Sequence, residues 1–285
     1  TVAPNGEIYV TESDNHRVSV WDDSGNMLRT WGSYGSGSGQ LNNPYNSFIS
    51  EGELYVVDNG NNRIQIFDLN GTFLRKWSSY GNGDGQFNSP WGIAVDVVGN
   101  TTEIYVTDLH NHRVQVFDVN GTFLRKWGSN GNNDDQFKHP NGIVIGPDDL
   151  VYVSSPDHYK VKVFQKDGTY VRSFGTTEKG HDLCLIGNRI AVSYGSNHRV
   201  RIYETNGTLV TTIGTGSSGS GDGEFNGPWF LGSDGSGNLL VGDRGNQRVQ
   251  VFDASGSFVR KFGSLAKFGI EPRDLMVAPN GNLIF

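Results

Sequence analysis

Ile104-Tyr105-Val106-Thr107-Asp108-Leu109-His110-Asn111-His112-Arg113-Val114-Gln115-Val116-Phe117-Asp118-Val119-Asn120-Gly121-Thr122-Phe123-Leu124-Arg125-Lys126-Trp127 is the stretch whose reading decides the fold. Ile104–Asp108, Arg113–Asp118 and Phe123–Trp127 each read as a short strand, the middle one alternating polar and apolar residues. Asn120-Gly121 between alternating strands predicts a tight hairpin of type I′, which needs positive φ at both central residues. Upstream, Gly92-Ile93-Ala94-Val95-Asp96 is an apolar run suited to an inner strand covered on both faces. One unit is therefore a four-stranded antiparallel meander.

The unit repeats. Asn111-His112-Arg113-Val114 returns as Asn15-His16-Arg17-Val18, Asn61-Asn62-Arg63-Ile64, His158-Tyr159-Lys160-Val161, Asn197-His198-Arg199-Val200 and Asn246-Gln247-Arg248-Val249. The basic residues are spaced by 46, 50, 47, 39 and 49 residues, a period at which each unit buries its apolar face only against its neighbours. Connectors between units share a pattern, as in Gly39-Gln40-Leu41-Asn42-Asn43-Pro44, Gly85-Gln86-Phe87-Asn88-Ser89-Pro90, Asp135-Gln136-Phe137-Lys138-His139-Pro140 and Gly223-Glu224-Phe225-Asn226-Gly227-Pro228. Leu or Phe reads as a plug between blades, and Pro as a fixed lead-in to the inner strand. Residues 175–180 form a shortened connector without either, which explains the short gap.

Units of this size and strand count describe an all-β protein, a six-bladed β-propeller of four-stranded antiparallel blades. The phrases Ile-Tyr-Val-Thr-Asp, Asn-His-Arg-Val-Gln-Val-Phe-Asp, Asn-Gly-Thr-Phe-Leu and Trp-Gly make each unit resemble the NHL repeat, and the resemblance runs over the whole chain. It implies a six-bladed propeller but no single activity. Six copies leave no room for a second domain, so residues 1–285 read as one propeller, expected to be part of a longer parent. Pro279-Asn280-Gly281-Asn282-Leu283-Ile284 echoes Pro4-Asn5-Gly6-Glu7-Ile8-Tyr9. A strand near Leu275-Met276-Val277 is thus expected to complete the blade formed by residues 7–32, closing the ring with N-terminal and C-terminal strands in one blade.

The net charge of −7 disfavours nonspecific attraction to nucleic acid or anionic membranes. No apolar run approaches the length of a membrane span, and no signal peptide is visible. The compartment is left open between cytoplasmic and extracellular. Four sequons begin at Asn70, Asn100, Asn120 and Asn206, but three are hairpin turns where backbone geometry explains the asparagine. Cys184, the one cysteine, reads as a buried thiol.

His16, His112 and His198, with His158 one place earlier, hold equivalent positions in separate blades and are too far apart to share an ion. The adjacent basic residues are expected to pair with Asp14, Asp58, Asp108, Asp157 and Asp243, pinning the loop after the second strand. Asp234-Gly235-Ser236-Gly237-Asn238 lacks the ligand pattern of a calcium loop. No metal, cofactor or catalytic constellation is read. Within the resemblance, a related peptide-amidating lyase holds channel zinc with histidines, and here only His139 and His181 occupy connector-proximal positions.

The position directly after the connector proline varies instead of repeating: Tyr45, Trp91, Asn141, His181, Trp229 and Arg273. These six are expected to ring the mouth of the central channel, with Tyr34, Tyr80, His110, Lys138 and Arg244 on surrounding loops. Aromatic faces with a few polar groups in a concavity form a ligand site. The expected function is a non-catalytic binding module for a protein, peptide or glycan. Single-stranded RNA on the same face and a channel-site lyase or hydrolase are the alternatives.

Overall fold

The structure, a computed structural model, describes residues 3, 7–21, 27–99, 101–175, 178–233, 237–246 and 248–262. The strands fall into six antiparallel sheets in chain order. The first holds β1 (Ile8–Glu12), β2 (Arg17–Trp21) and β3 (Met27–Trp31). The second holds β4 (Pro44–Ser50), β5 (Glu53–Asp58), β6 (Arg63–Asp68) and β7 (Phe73–Trp77). The third holds β8 (Pro90–Val98), β9 (Thr101–Asp108), β10 (Arg113–Asp118) and β11 (Phe123–Trp127). The fourth holds β12 (Ile143–Ile145), β13 (Val151–Ser155), β14 (Lys160–Phe164) and β15 (Tyr170–Phe174). The fifth holds β16 (Leu183–Ile186), β17 (Arg189–Tyr194), β18 (Arg199–Glu204) and β19 (Leu209–Ile213). The sixth holds β20 (Pro228–Ser233), β21 (Leu239–Asp243), β22 (Arg248–Phe252) and β23 (Phe258–Phe262).

This is a six-bladed propeller of antiparallel meanders, in which β1 of the first blade matches the second strand of the others. Five blades have four strands and the first has three among the described residues. The strand expected near Leu275-Met276-Val277 and the mouth residue Arg273 lie outside the described residues. Helices among them are five single-turn 3-10 segments between second and third strands, and no helix is long and apolar enough to cross a membrane.

The apolar core lies between blades. Tyr55, Val57, Ile64 and Ile66 of the second blade pack with Ile93, Ile104, Val106 and Phe117 of the third, around the connector residue Phe87. Leu41, Phe87, Phe137 and Phe225 are all fully buried, so the plugs expected from the connectors are real. Each such side chain contributes roughly 1.5–3 kcal/mol by burial. The turn into the next strand, 3-10 in four of these cases, ends on a left-handed residue: His16, Asn62, His112, Tyr159 and His198 all have φ between 50° and 57°. Asn and His tolerate that region better than branched residues do, which accounts for the repeated phrase.

One expectation is corrected. The Asn-Gly hairpins are not type I′: Gly71 and Gly121 have positive φ, but Asn70 and Asn120 do not. Asp68 Oδ1 accepts the amides of Asn70 and Thr72, and Gly71 N–H donates to the Asp68 carbonyl. The aspartate side chain therefore organises a wider turn with a bulge at Ile66/Phe67. A Cβ on Gly71 would fall 2.5 Å from the Trp31 ring, so the glycine also seats the last strand of the preceding blade.

Candidate functional site

A polar scaffold of buried Asp–Arg pairs holds the connectors that precede the varying residues. Asp58 is fully buried and its Oδ2 accepts from Arg63 Nε at 2.7 Å, Asn61 Nδ2 at 2.9 Å and Gln65 Nε2 at 3.0 Å. Its Oδ1 accepts the Asn42 amide at 2.7 Å. The Arg63 guanidinium also donates to the carbonyls of Ser36, Gly37 and Gln40, tying down the whole connector. The same set recurs around Asp108–Arg113 and Asp243–Arg248.

Two of the expected pairs are different. In the first blade Arg17 pairs with Glu12, two residues before Asp14, because the acid belongs at the end of the second strand. In the fourth, that strand ends in Ser155, Lys160 is exposed, and Asp157 takes Lys179 and His139 instead. There Lys162, at the position of Gln65, is buried and donates its ammonium to the carbonyls of Asn133, Asp134 and Gln136. In the fifth blade Glu178 of the short connector pairs with Arg199 and Arg201.

Above this scaffold the varying residues form an arc. Tyr45 and Trp91 stack with centroids 4.3 Å apart at 23°, joining the second and third blades. His181 and Trp229 stack at 4.1 Å and 21°, joining the fifth and sixth, and Arg244 lies 5.9 Å from the Trp229 ring centroid. Asn141 stands between the two stacks. A Cβ on Gly92 would lie 2.6 Å from the Asn141 carbonyl, so the third and fourth blades touch here through bare backbone. Gly142 N–H donates to the His181 carbonyl at 3.2 Å, carrying the arc into the fifth blade.

Asn141 is 94% buried by its 6% residual exposure, and its Oδ1 has no hydrogen-bond partner among the described residues. Both ring nitrogens of His181 are likewise buried and unpartnered. Burial, reinforced by the Lys179 charge, pushes the imidazole down to about 4 and keeps it neutral at physiological pH. A neutral imidazole offers one donor and one acceptor. The arc thus holds two aromatic stacks, with an unsatisfied amide oxygen of Asn141 buried between them and an unsatisfied imidazole of His181 buried within the second.

A further set of residues was not foreseen. Thr107 Oγ1 accepts the Gly92 amide at 2.8 Å and donates to the Asn141 carbonyl of the next blade at 2.6 Å. Ser154 does the same between Gly142 and His181, and Ser193 between Asp182 and Trp229. Thr11 donates to the Tyr45 carbonyl. These hydroxyls fix the backbone of Tyr45, Asn141, His181 and Trp229 from the neighbouring blade. The signal was a hydroxyl at the next-to-last position of the second strand, replaced by Val57 in the second blade and Gly242 in the sixth.

Of the peripheral candidates, Tyr34 and Tyr80 are each 69% exposed at equivalent points of the first two connectors. His110 and His112 both face His139, at centroid distances of 5.5 and 4.9 Å, and burial and mutual charge lower both. Lys138 is half-buried beside them. The repeated histidines serve the backbone: His16, His112 and His198 each accept a connector amide at Nδ1, from Asn43, His139 and Gly227. No group of metal ligands occurs among the described residues. Cys184 is buried, and burial raises its thiol to about 12.

Comparison with known proteins agrees with this architecture. The NHL repeat matches residues 1–21, 47–67, 87–117 and 225–252. The chain carries NHL repeats. A segment of 46 residues is 50% identical to the protein lin-41 of Caenorhabditis elegans, covering 16% of this chain and 4% of that much longer protein. Among solved structures, a streptogramin B lyase superposes with a TM-score of 0.74 at 13% identity, over 99% of this chain and 88% of that one. An inactive virginiamycin B lyase from Staphylococcus aureus with quinupristin gives 0.61 at 14% identity, over 90% and 74%. A chain of a nidogen/laminin complex gives 0.66 at 16%, over 92% and 94%.

These likenesses correct the expectation that the protein is not an enzyme. At 13–14% identity they show the fold alone, but that fold, over nearly the whole chain, is one that lyases use. The absence of a familiar catalytic motif is no ground for excluding catalysis from it.

Proposed function

We propose that the channel mouth is the functional site and that it takes an organic ligand, a peptide, a protein side chain or a glycan, against its two aromatic stacks. The observation that carries this reading is the set of unpartnered polar atoms on Asn141 and His181. Leaving such groups buried and unsatisfied costs about 1–3 kcal/mol each, and a ligand that pairs with them recovers that cost. The stacks supply flat apolar area whose edges stay partly open to solvent. The test is affinity capture with the intact chain against a Trp91→Ala/Trp229→Ala variant that melts at the same temperature. A variant that keeps every partner of the parent would sink the reading.

A second reading has chemistry done on the bound ligand, as in a lyase. The full-length likeness to streptogramin B lyases and the neutral, unpartnered imidazole of His181 favour it. In this reading His181 is the acid–base group, since it alone at the mouth can both give and take a proton near the ligand. Quinupristin is a direct probe. An elimination that opens the ring leaves the mass unchanged, so conversion is read as a shift in chromatographic retention and in fragment ions. Conversion abolished in His181→Ala while binding persists supports this reading, and an unchanged retention and fragment pattern excludes it for that ligand.

A further inference from the structure

The two connectors nearest the Tyr45–Trp91 stack differ from the others in charge. Residues 32–50 contain no acidic or basic residue at all. Residues 78–95 contain only Asp84, which is neutralised by Lys126. Arg63 lies buried beneath the first connector with its donors spent on carbonyls. On this uncharged surface stand Tyr34 and Tyr80, the most exposed large hydrophobic side chains of the described residues. Later connectors have Asn130 and Ser218 at the same point, and carry Asp134, Asp135, Lys138, Asp222 and Glu224.

We infer that the ligand is a neutral oligosaccharide, which runs outward from the mouth over the connectors bearing Tyr34 and Tyr80. This rests on the mouth being the binding site and names the class of ligand it takes. The chemistry fits in three respects. The C–H faces of a pyranose ring pack against the electron-rich faces of Tyr and Trp. A single-stranded nucleic acid also stacks on aromatics, but it needs Lys or Arg along its backbone, and these two connectors have none. A proline-rich chain docks on Tyr and Trp as well, but it offers acceptors and almost no donors. Asn141 Oδ1 and the two ring nitrogens of His181 are buried without partners, so a ligand group that meets them when these side chains turn outward must both donate and accept, as a sugar hydroxyl does.

The test is calorimetric titration of the intact chain with cellohexaose, laminarihexaose, maltohexaose and N-acetylated chitohexaose, alongside deca-proline and deca-uridylate. Binding of at least one hexasaccharide is expected, weakened about tenfold by Tyr34→Ala/Tyr80→Ala and about tenfold by Trp91→Ala, with melting temperatures unchanged. The disaccharide of the same sugar should bind weakly and ignore the tyrosine changes. A sugar lost with Trp91→Ala but not with the tyrosines leaves the mouth standing and overturns the outward path. One lost with the tyrosines and indifferent to Trp91, Asn141 and His181 overturns the mouth reading itself. Binding of deca-proline or deca-uridylate without any hexasaccharide, or no binding at all, overturns the inference.

Discussion

Ser154 Oγ donates to the carbonyl oxygen of His181 at 2.7 Å, from one blade to the next, while accepting the Gly142 amide at 2.9 Å. Thr107 makes the same bridge between Gly92 and Asn141. Four of the varying residues, Tyr45, Asn141, His181 and Trp229, thus hang from a hydroxyl that repeats. Thr107→Val keeps the shape and β-branching but strands the Gly92 N–H, which donates to this hydroxyl. We expect a loss of about 1–3 kcal/mol, and a fall of roughly 2–4 °C in Tm for each kcal/mol. Thermal melting followed by circular dichroism checks it; an unchanged Tm would show the bridge to be ornamental.

The buried and exposed ion pairs should behave oppositely. Asp58→Ala leaves Arg63 charged and buried without its carboxylate, and also orphans the Asn42 amide. About 3–5 kcal/mol is expected to be lost. Lys126→Ala breaks a pair whose partners are both about half exposed, and a change of no more than about 1 kcal/mol is expected. Urea titrations of the two variants give the comparison. Equal midpoints would refute the scaffold role assigned to the repeated Asp–Arg phrase.

What the sequence disclosed was whatever the backbone demands in every blade. The Asn-x-Arg phrase, the connector plugs Leu41, Phe87, Phe137 and Phe225, and the meander all follow from recurring geometry, and recurrence is visible without coordinates. Details resolved by a single side chain were less legible. Whether Asp14 or Glu12 meets Arg17 depends on where the strand ends, and the turn at Asn120 depends on Asp118 capping it. For the varying residues, which pairs stack was not legible. Tyr45 with Trp91 and His181 with Trp229 are 46 and 48 residues apart, and which neighbours stack is a matter of rotamers. The hydroxyl bridge hid because Thr or Ser near the end of a strand is ordinary.

His181 should report the mouth's dryness directly. Its folded pKa of about 4 lies below the ordinary value of 6.5, so between those values the unfolded chain binds more protons than the folded one. Stability therefore rises with pH through that window and is complete above about 6.5. The NMR titration of its ring protons should show a neutral imidazole at pH 5, and His181→Gln should flatten that part of the pH–stability curve. An imidazole titrating near 6.5 would mean that solvent reaches it, and would remove the argument from unpartnered nitrogens.

Lys162 carries the last expectation. Burial, and then the nearby Lys160 charge, bring it down to about 8, while Asp134 and Asp135 pull the other way. Its three carbonyl acceptors hold an ammonium in the place where other blades hold a glutamine against an aspartate. Between about pH 8 and 10.5 the folded lysine is neutral and the unfolded one still charged, so stability should rise with pH across that range relative to a variant without the group. The difference in unfolding free energy between parent and Lys162→Met, measured from pH 7 to 10.5, isolates this from other titrations. The methionine variant should be favoured most at pH 7, where the parent keeps a charge out of water, and its advantage should shrink above pH 8. A difference independent of pH would mean that the ammonium is as well solvated by its carbonyls as by water, and that the fourth blade bears no cost for the substitution.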